Sequence, residues 1–120
     1  MLNMETILKS NAMYTFIKNT LVNQVTLVGN MGDCPRIFTN DNGSKIARFS
    51  LATDVKCKEG KKTEWYPVFA WGNIAHFLEK FGDKGKKIII TGKLVTRTFM
   101  NKEGMQQKVT EIELRNVIGL

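Results

Sequence analysis

The sequence predicts an all-β domain: five strands closed into a barrel, with one short helix between strands 3 and 4. Three observations carry this. Apolar and polar residues alternate with period two in successive segments from residue 22 onward. Groups rich in glycine and asparagine separate those segments. Only one stretch, after Gly72, carries apolar residues at clear helical spacing. At 120 residues the chain is long enough for one hydrophobic core and too short for two.

Residues 1–21 stand apart from this pattern. Leu2, Met4, Ile7, Leu8, Phe16 and Ile17 follow a loosely helical spacing without a strong cap. Lys9 and Lys18 come without arginine or a continuous apolar stretch, which fits neither a transit peptide nor a secretory signal. Ser10, Asn11, Ala12 and Met13 also look like a remnant of tag removal. The segment is read as an N-terminal appendage, either helix or remnant, and the domain is placed at residues 22–120.

The first strand contains Val25, Leu27 and Val28 and is bent or interrupted at Gly29, Asn30, Met31 and Gly32, with Ile37 and Phe38 as its continuation. Asn40, Asp41, Asn42 and Gly43 form the strongest turn signal, since asparagine and glycine tolerate the backbone of tight hairpins. In the second strand, 46–55, Ala47, Phe49, Leu51 and Thr53 point one way, while Lys45, Arg48, Ser50 and Asp54 are mostly polar. A polar hairpin over 56–62 leads to a third strand, 64–71, rich in aromatic and β-branched residues. Asn73 is the expected cap of a helix carrying Ile74, Phe77, Leu78 and Phe81, stopped by Gly82 and Gly85. Ile88, Ile89 and Ile90 open a fourth strand reaching about Phe99; residues 101–104 turn, and 109–117 alternate as the fifth strand. Five strands in an open sheet leave exposed edges, so closure into a barrel with the helix over one end is the natural solution. This is the order of an OB-fold; a split β-sandwich with a covering helix has the same periodicity.

The formal net charge of +7 and a pI near 9.6 favour a polyanionic partner, either nucleic acid or an acidic membrane surface. No apolar run approaches the roughly 18 residues of a membrane span. Cys34 and Cys57 have neither zinc-site spacing nor the density of a disulfide scaffold and read as free thiols in a reducing compartment. His76 and the scattered carboxylates form no nucleophile–base pair or metal cluster, so no cofactor and no catalysis are expected.

Trp65, Pro67, Phe69 and Trp71 share one face of the third strand, and Tyr66, Val68 and Ala70 the other. A lone tryptophan on a strand more often fills a core than faces solvent. Here Ala47, Phe49, Leu51, Val68, Ala70, Ile88, Ile90 and Leu94 already supply a core for a small barrel, so the aromatic face is surplus unless something covers it. Stacked bases are such a cover, and every base offers a π-face regardless of sequence. Lys56, Lys58, Lys61 and Lys62 in one hairpin and Lys102 in another can neutralise phosphates, though a solvated rim has the same composition. Arg97, two residues before Phe99, suits a phosphate contact or a cation–π contact.

Read in order, Asn23, Val25, Leu27, Val28, Gly29, Asn30, Gly32 and Pro35, then Leu51, Ala52 and Thr53, then Thr63, Glu64, Trp65, Trp71 and Gly72, then Lys84, Gly85, Gly92, Leu94, Thr96 and Arg97 resemble the bacterial single-stranded DNA-binding proteins. The resemblance covers about residues 21–117. It implies an OB-fold subunit that coats exposed single-stranded DNA in replication, recombination and repair, in the cytoplasm with the nucleoid, as a homotetramer. Trp65 matches that family's stacking tryptophan; Trp71 stands where a stacking phenylalanine is usual, and Phe99 where another tryptophan is usual. Cys57 lies near the usual place of a further tryptophan. Tyr66 replaces an interface histidine, which leaves a dimer open beside the tetramer. Relatives extend through a linker to an acidic tail that recruits replication or repair proteins, whereas this sequence ends at Leu120, as a shortened chain or a tailless relative would. An alternative reading is a tailless OB-fold adaptor resembling primosomal replication proteins.

Overall fold

In the computed structural model, which describes residues 23–120, the turn groups divide the chain into seven elements. They are β1 (Val25–Met31), β2 (Arg36–Thr39), β3 (Lys45–Cys57), β4 (Gly60–Trp71), α1 (Gly72–Phe81), β5 (Lys87–Met100) and β6 (Gln106–Gly119). The helix expected in residues 1–21, and with it the appendage, lies outside the described residues.

The first strand is broken rather than bent. β1 pairs with β3 only at Asn30–Ala52 and Met31–Leu51, and β2 resumes the pairing from Arg36–Arg48 to Thr39–Lys45. Between them Ser50 holds the gap: its carbonyl accepts the Gly32 N–H at 2.7 Å, and its N–H donates to the Asp33 carboxylate at 2.9 Å. At the far end of β2, Asn40 and Gly43 close the expected turn, with the Gly43 N–H on the Asn40 carbonyl at 2.9 Å.

Strand pairing decides between barrel and sandwich. β1 runs antiparallel to both β3 and β5, β3 to β4, and β5 to β6, while β4 and β6 pair in parallel at Val68–Ile112 and Phe69–Glu113. The ring β1–β5–β6–β4–β3 therefore closes on itself and leaves no member without two neighbours. Inside it, alternation holds as read: Ala47, Phe49 and Leu51 from β3 meet Val68 and Ala70 from β4, with Met31, Ile88, Ile90, Ile112 and Leu114 completing the core. Leu94 is a correction. It is 49% exposed, because β1 ends its pairing at Val25–Gly92 and β5 continues past the enclosed part of the barrel. Only the Asn23 side chain follows it there, clasping the Leu94 N–H and carbonyl at 3.0 Å each.

The helix differs from expectation in its cap and its apolar face. Trp71, still in extended backbone at φ −115° and ψ 155°, occupies the cap position, and no side chain caps the helix. Asn73 thus falls inside the first turn, since the strand runs directly into the helix at Gly72. Ala75 and Leu78 are buried against the barrel with Ile74 beside them, while Phe77 and Phe81 remain exposed with ring centroids 5.0 Å apart. Gly82 ends the helix with its N–H on the Leu78 carbonyl at 2.8 Å, and a Cβ there would lie 2.6 Å from that oxygen and 2.7 Å from Pro35. The stop is therefore a close approach, without the left-handed backbone expected of a terminal glycine.

The polar hairpin expected over 56–62 is mostly ladder. Pairing of β3 with β4 runs to Lys56–Lys61 and Cys57–Gly60, leaving Lys58 and Glu59 as a two-residue turn. β5 and β6 likewise extend to Met100–Gln106, closed by Asn101, whose side-chain oxygen accepts the N–H groups of Glu103 and Met105 at 2.9 Å each. Among the described residues no helix is long and apolar enough to cross a membrane.

Candidate nucleic-acid interface

Because paired residues share a face, the ladders of β2, β3 and β4 set the outer surface of the barrel in rows. Phe38, Ile46 and Trp71 make the first, Arg36, Arg48 and Phe69 the second, Ser50 and Pro67 the third, and Ala52 and Trp65 the fourth. Trp65 and Trp71, six residues apart on one strand, are separated by about 20 Å along it. Their exposures of 60% and 46% show that neither indole fills the core. Phe69 is a correction to the aromatic face: it is 7% exposed, because the Arg48 guanidinium lies over its ring, 5.2 Å from the centroid. It is covered by a cation and offers no open platform.

Trp65 rests on the link between β1 and β2. A Cβ built at Gly32 runs into the indole's six-membered ring, so the bare glycine is what lets the ring lie down there. Gly32→Ala is expected to push the ring outward at a cost below about 1 kcal/mol, since an exposed side chain can move. The indole N–H resonance of Trp65 should shift while that of Trp71 stays; an unmoved Trp65 signal would show that Gly32 does not seat it.

Arg97 and Phe99 come together on the β5–β6 hairpin, with the guanidinium 5.7 Å from the ring centroid and Phe99 40% exposed. Arg97 also donates from Nη2 to Glu111 at 3.0 Å, and Arg48 donates from Nη1 to the same carboxylate at 3.1 and 3.3 Å. Glu111 is only 5% exposed, yet it faces outward: its neighbour Ile112 enters the core, and the two arginines are what bury Glu111. Burial by itself would raise its carboxyl, but the hydrogen bonds from Arg97 and Arg48 outweigh it and hold it below the ordinary carboxylate value. The carboxylate therefore stays ionised and ties the β5–β6 hairpin to β3. Next to it opens a cleft of about 320 Å³ lined by Arg36, Arg48, Ser50, Pro67, Arg97 and Glu111.

The lysines are placed differently. Lys56, Lys61 and Lys62 lie on the β3–β4 ladder, Lys58 in its turn and Lys102 in the β5–β6 turn, all exposed. By ladder parity Lys56 and Lys61 continue the Trp65 face and Lys62 lies on the opposite one, and no lysine lines the arginine cleft. Cys34 and Cys57 are free and exposed, the Cys34 thiol donating to Asp83 at 3.3 Å. Tyr66 donates its hydroxyl to Glu64 at 2.8 Å, and that bond, followed by burial, raises the phenol above its ordinary value. No group of three or more His, Cys, Asp or Glu residues able to hold a metal occurs among the described residues.

Sequence reasoning did not single out Phe38, Arg36, Arg48 or Glu111 as site residues. In the sequence Arg48 and Glu111 read as ordinary polar positions on alternating strands, 63 residues apart, and nothing local pairs them. Phe38 lacked a signal until the Phe38–Ile46–Trp71 row placed it beside a tryptophan.

A sequence model of the Single-strand binding protein family matches residues 22–120. The chain belongs to the single-strand binding protein family. A single-stranded DNA-binding protein of Bacteroides thetaiotaomicron is 34% identical over 103 residues, covering 80% of this chain and 64% of that protein. Single-stranded DNA-binding protein 1 of Chlorobaculum tepidum is 33% identical over 97 residues, 76% of this chain and 60% of that protein. This member of the single-strand binding family thus spans less than two thirds of the length of these curated relatives. The solved complex of Plasmodium falciparum SSB with ssDNA superposes with a TM-score of 0.77 at 30% identity, over 82% of this chain and 95% of that one. The five-stranded barrel with one helix between β4 and β5 is thus the family's OB-fold.

Proposed function

We propose that this domain binds single-stranded DNA without reading its sequence, by stacking bases on Trp65, Trp71 and Phe99 and neutralising phosphates with Arg97, Lys56, Lys58, Lys61, Lys62 and Lys102. The observation that carries the reading is the pair of half-exposed indoles on the outer face of a barrel whose core is complete without them. Large flat aromatics left open beside cations are the means by which OB-folds hold unpaired strands, each platform contributing about 1–3 kcal/mol per base. The name of the Plasmodium structure, a complex with ssDNA, supports the same reading. Its setting is replication, recombination and repair, in the cytoplasm with the nucleoid, and its active form is a homo-oligomer, with a tetramer favoured over a dimer. Its task is binding rather than catalysis.

Oligothymidine added at low salt is expected to quench the fluorescence of Trp65 and Trp71, and rising salt to weaken the complex as phosphate contacts are screened. Folded protein that shows no quenching at low salt sinks the reading. Titration with oligonucleotides of increasing length, alongside light scattering, measures site size and assembly together.

A further inference from the structure

The second row of the outer face is basic, and it lies between the two tryptophan platforms. Arg36 and Arg48 are directly paired across β2 and β3, one row from Trp71 and two from Trp65. Both line the cleft together with Arg97, and the one carboxylate in its lining, Glu111, is shared between Arg48 and Arg97. Arg48 is fixed on two sides, by Glu111 at 3.1 Å and by the Phe69 ring beneath it. Among the described residues it donates only through Nη1, so its other N–H groups have no protein acceptor there. An arginine carries five donors in a rigid fork that fits phosphate oxygens. The Arg36 side chain is 63% exposed, and its nearest carboxylate, Asp33, is 4.0 Å away. Neither arginine needs to break a strong bond to take an anion.

We propose that Arg48 and Arg36 form a phosphate seat in this cleft, holding a backbone phosphodiester of the bound strand as it passes between the Trp71 and Trp65 platforms, with Glu111 acting as a positioning residue for Arg48. The seat rests on the single-strand-binding reading above. It assigns a backbone contact to the rows between the two tryptophans, which hold no lysine. Two guanidiniums on facing strands set where the strand's backbone crosses β2 and β3.

The test is the salt dependence of oligothymidine binding, read by tryptophan quenching, for the unmodified protein, Arg36→Ala, Arg48→Gln and Lys80→Ala, whose lysine lies on α1. For single strands, each lost phosphate contact makes the plot of log K against log salt shallower by about 0.7. Arg36→Ala and Arg48→Gln are each expected to show that flattening, and Lys80→Ala to keep the original slope. An unchanged slope in either folded arginine variant overturns the two-arginine seat, as does equal flattening in Lys80→Ala, which signals a general charge effect. Should circular dichroism show Arg48→Gln unfolded, Arg36→Ala decides by the same criterion. Failure of the unmodified protein to quench defeats the DNA-binding reading itself, whereas unaltered slopes with normal quenching defeat only the seat.

Discussion

Replacing Trp71 by alanine is expected to weaken oligothymidine binding by about 1–3 kcal/mol, roughly 5- to 150-fold, with little change in stability. The indole is 46% exposed and lies outside the core cluster, so its removal leaves no sealed cavity. Its value is in flat area presented to a base, and alanine presents none. Trp65→Ala should fall in the same range, since that ring is more exposed still. Lys62→Ala provides the contrast. Its side chain is exposed on the outer part of the β3–β4 hairpin, opposite Val55, and one screened phosphate contact contributes less than a platform. Equilibrium titration of the three variants at one salt concentration ranks them. A larger loss for Lys62→Ala than for Trp71→Ala would mean that charge, and not stacking, carries the affinity.

Glu111→Gln is expected to cost about 1–3 kcal/mol of stability at pH 7, because charge-assisted bonds from two arginines become neutral ones and the amide NH2 that takes the place of one oxygen cannot accept the second Arg48 bond. The lower part of that range applies, as the Arg48 and Arg97 side chains are 32% and 50% exposed and regain water when released. The pH dependence has a definite sign. The folded protein holds this carboxyl below its ordinary value of 4.5, so the folded state favours the ionised form more than the unfolded chain does. That contribution is fully present above the unfolded value and is lost as pH falls through the folded one. Urea unfolding at pH 7 should therefore separate the variant from the unmodified protein most widely, and the gap should narrow as pH drops below about 4.5. A constant gap down to pH 3 would show that Glu111 is not the ionised tie between β3 and the β5–β6 hairpin. The same variant loosens Arg48 and Arg97, so weaker binding at pH 7 is expected alongside lower stability.

Much of the site was readable because side-chain direction along a strand alternates whatever the strand pairs with. The period-two pattern put Trp65 and Trp71 on one face and Phe49 and Leu51 into the core, and the structure agrees. The same logic put Phe69 among the open aromatics and failed there, since its cover comes from Arg48 on the neighbouring strand. Leu94 failed for a related reason: its direction was right, but whether a direction leads to a core depends on where the adjacent strand ends. Phe77 and Phe81 kept their helical spacing and lost their burial, because the helix face that packs on the barrel is the one carrying Ile74, Ala75 and Leu78.

By itself the sequence determined the order of the elements, the inward and outward sides of each strand, and the ordered motif that matches the family, because these depend on local periodicity, turn chemistry and residue identity. Closure through the parallel β4–β6 pair, the division of the first strand at Ser50, and the Arg48–Glu111–Arg97 tie were decided only in three dimensions. Each joins residues distant along the chain through contacts that no window of neighbouring residues encodes, and their energies appear only when the barrel has brought the strands side by side.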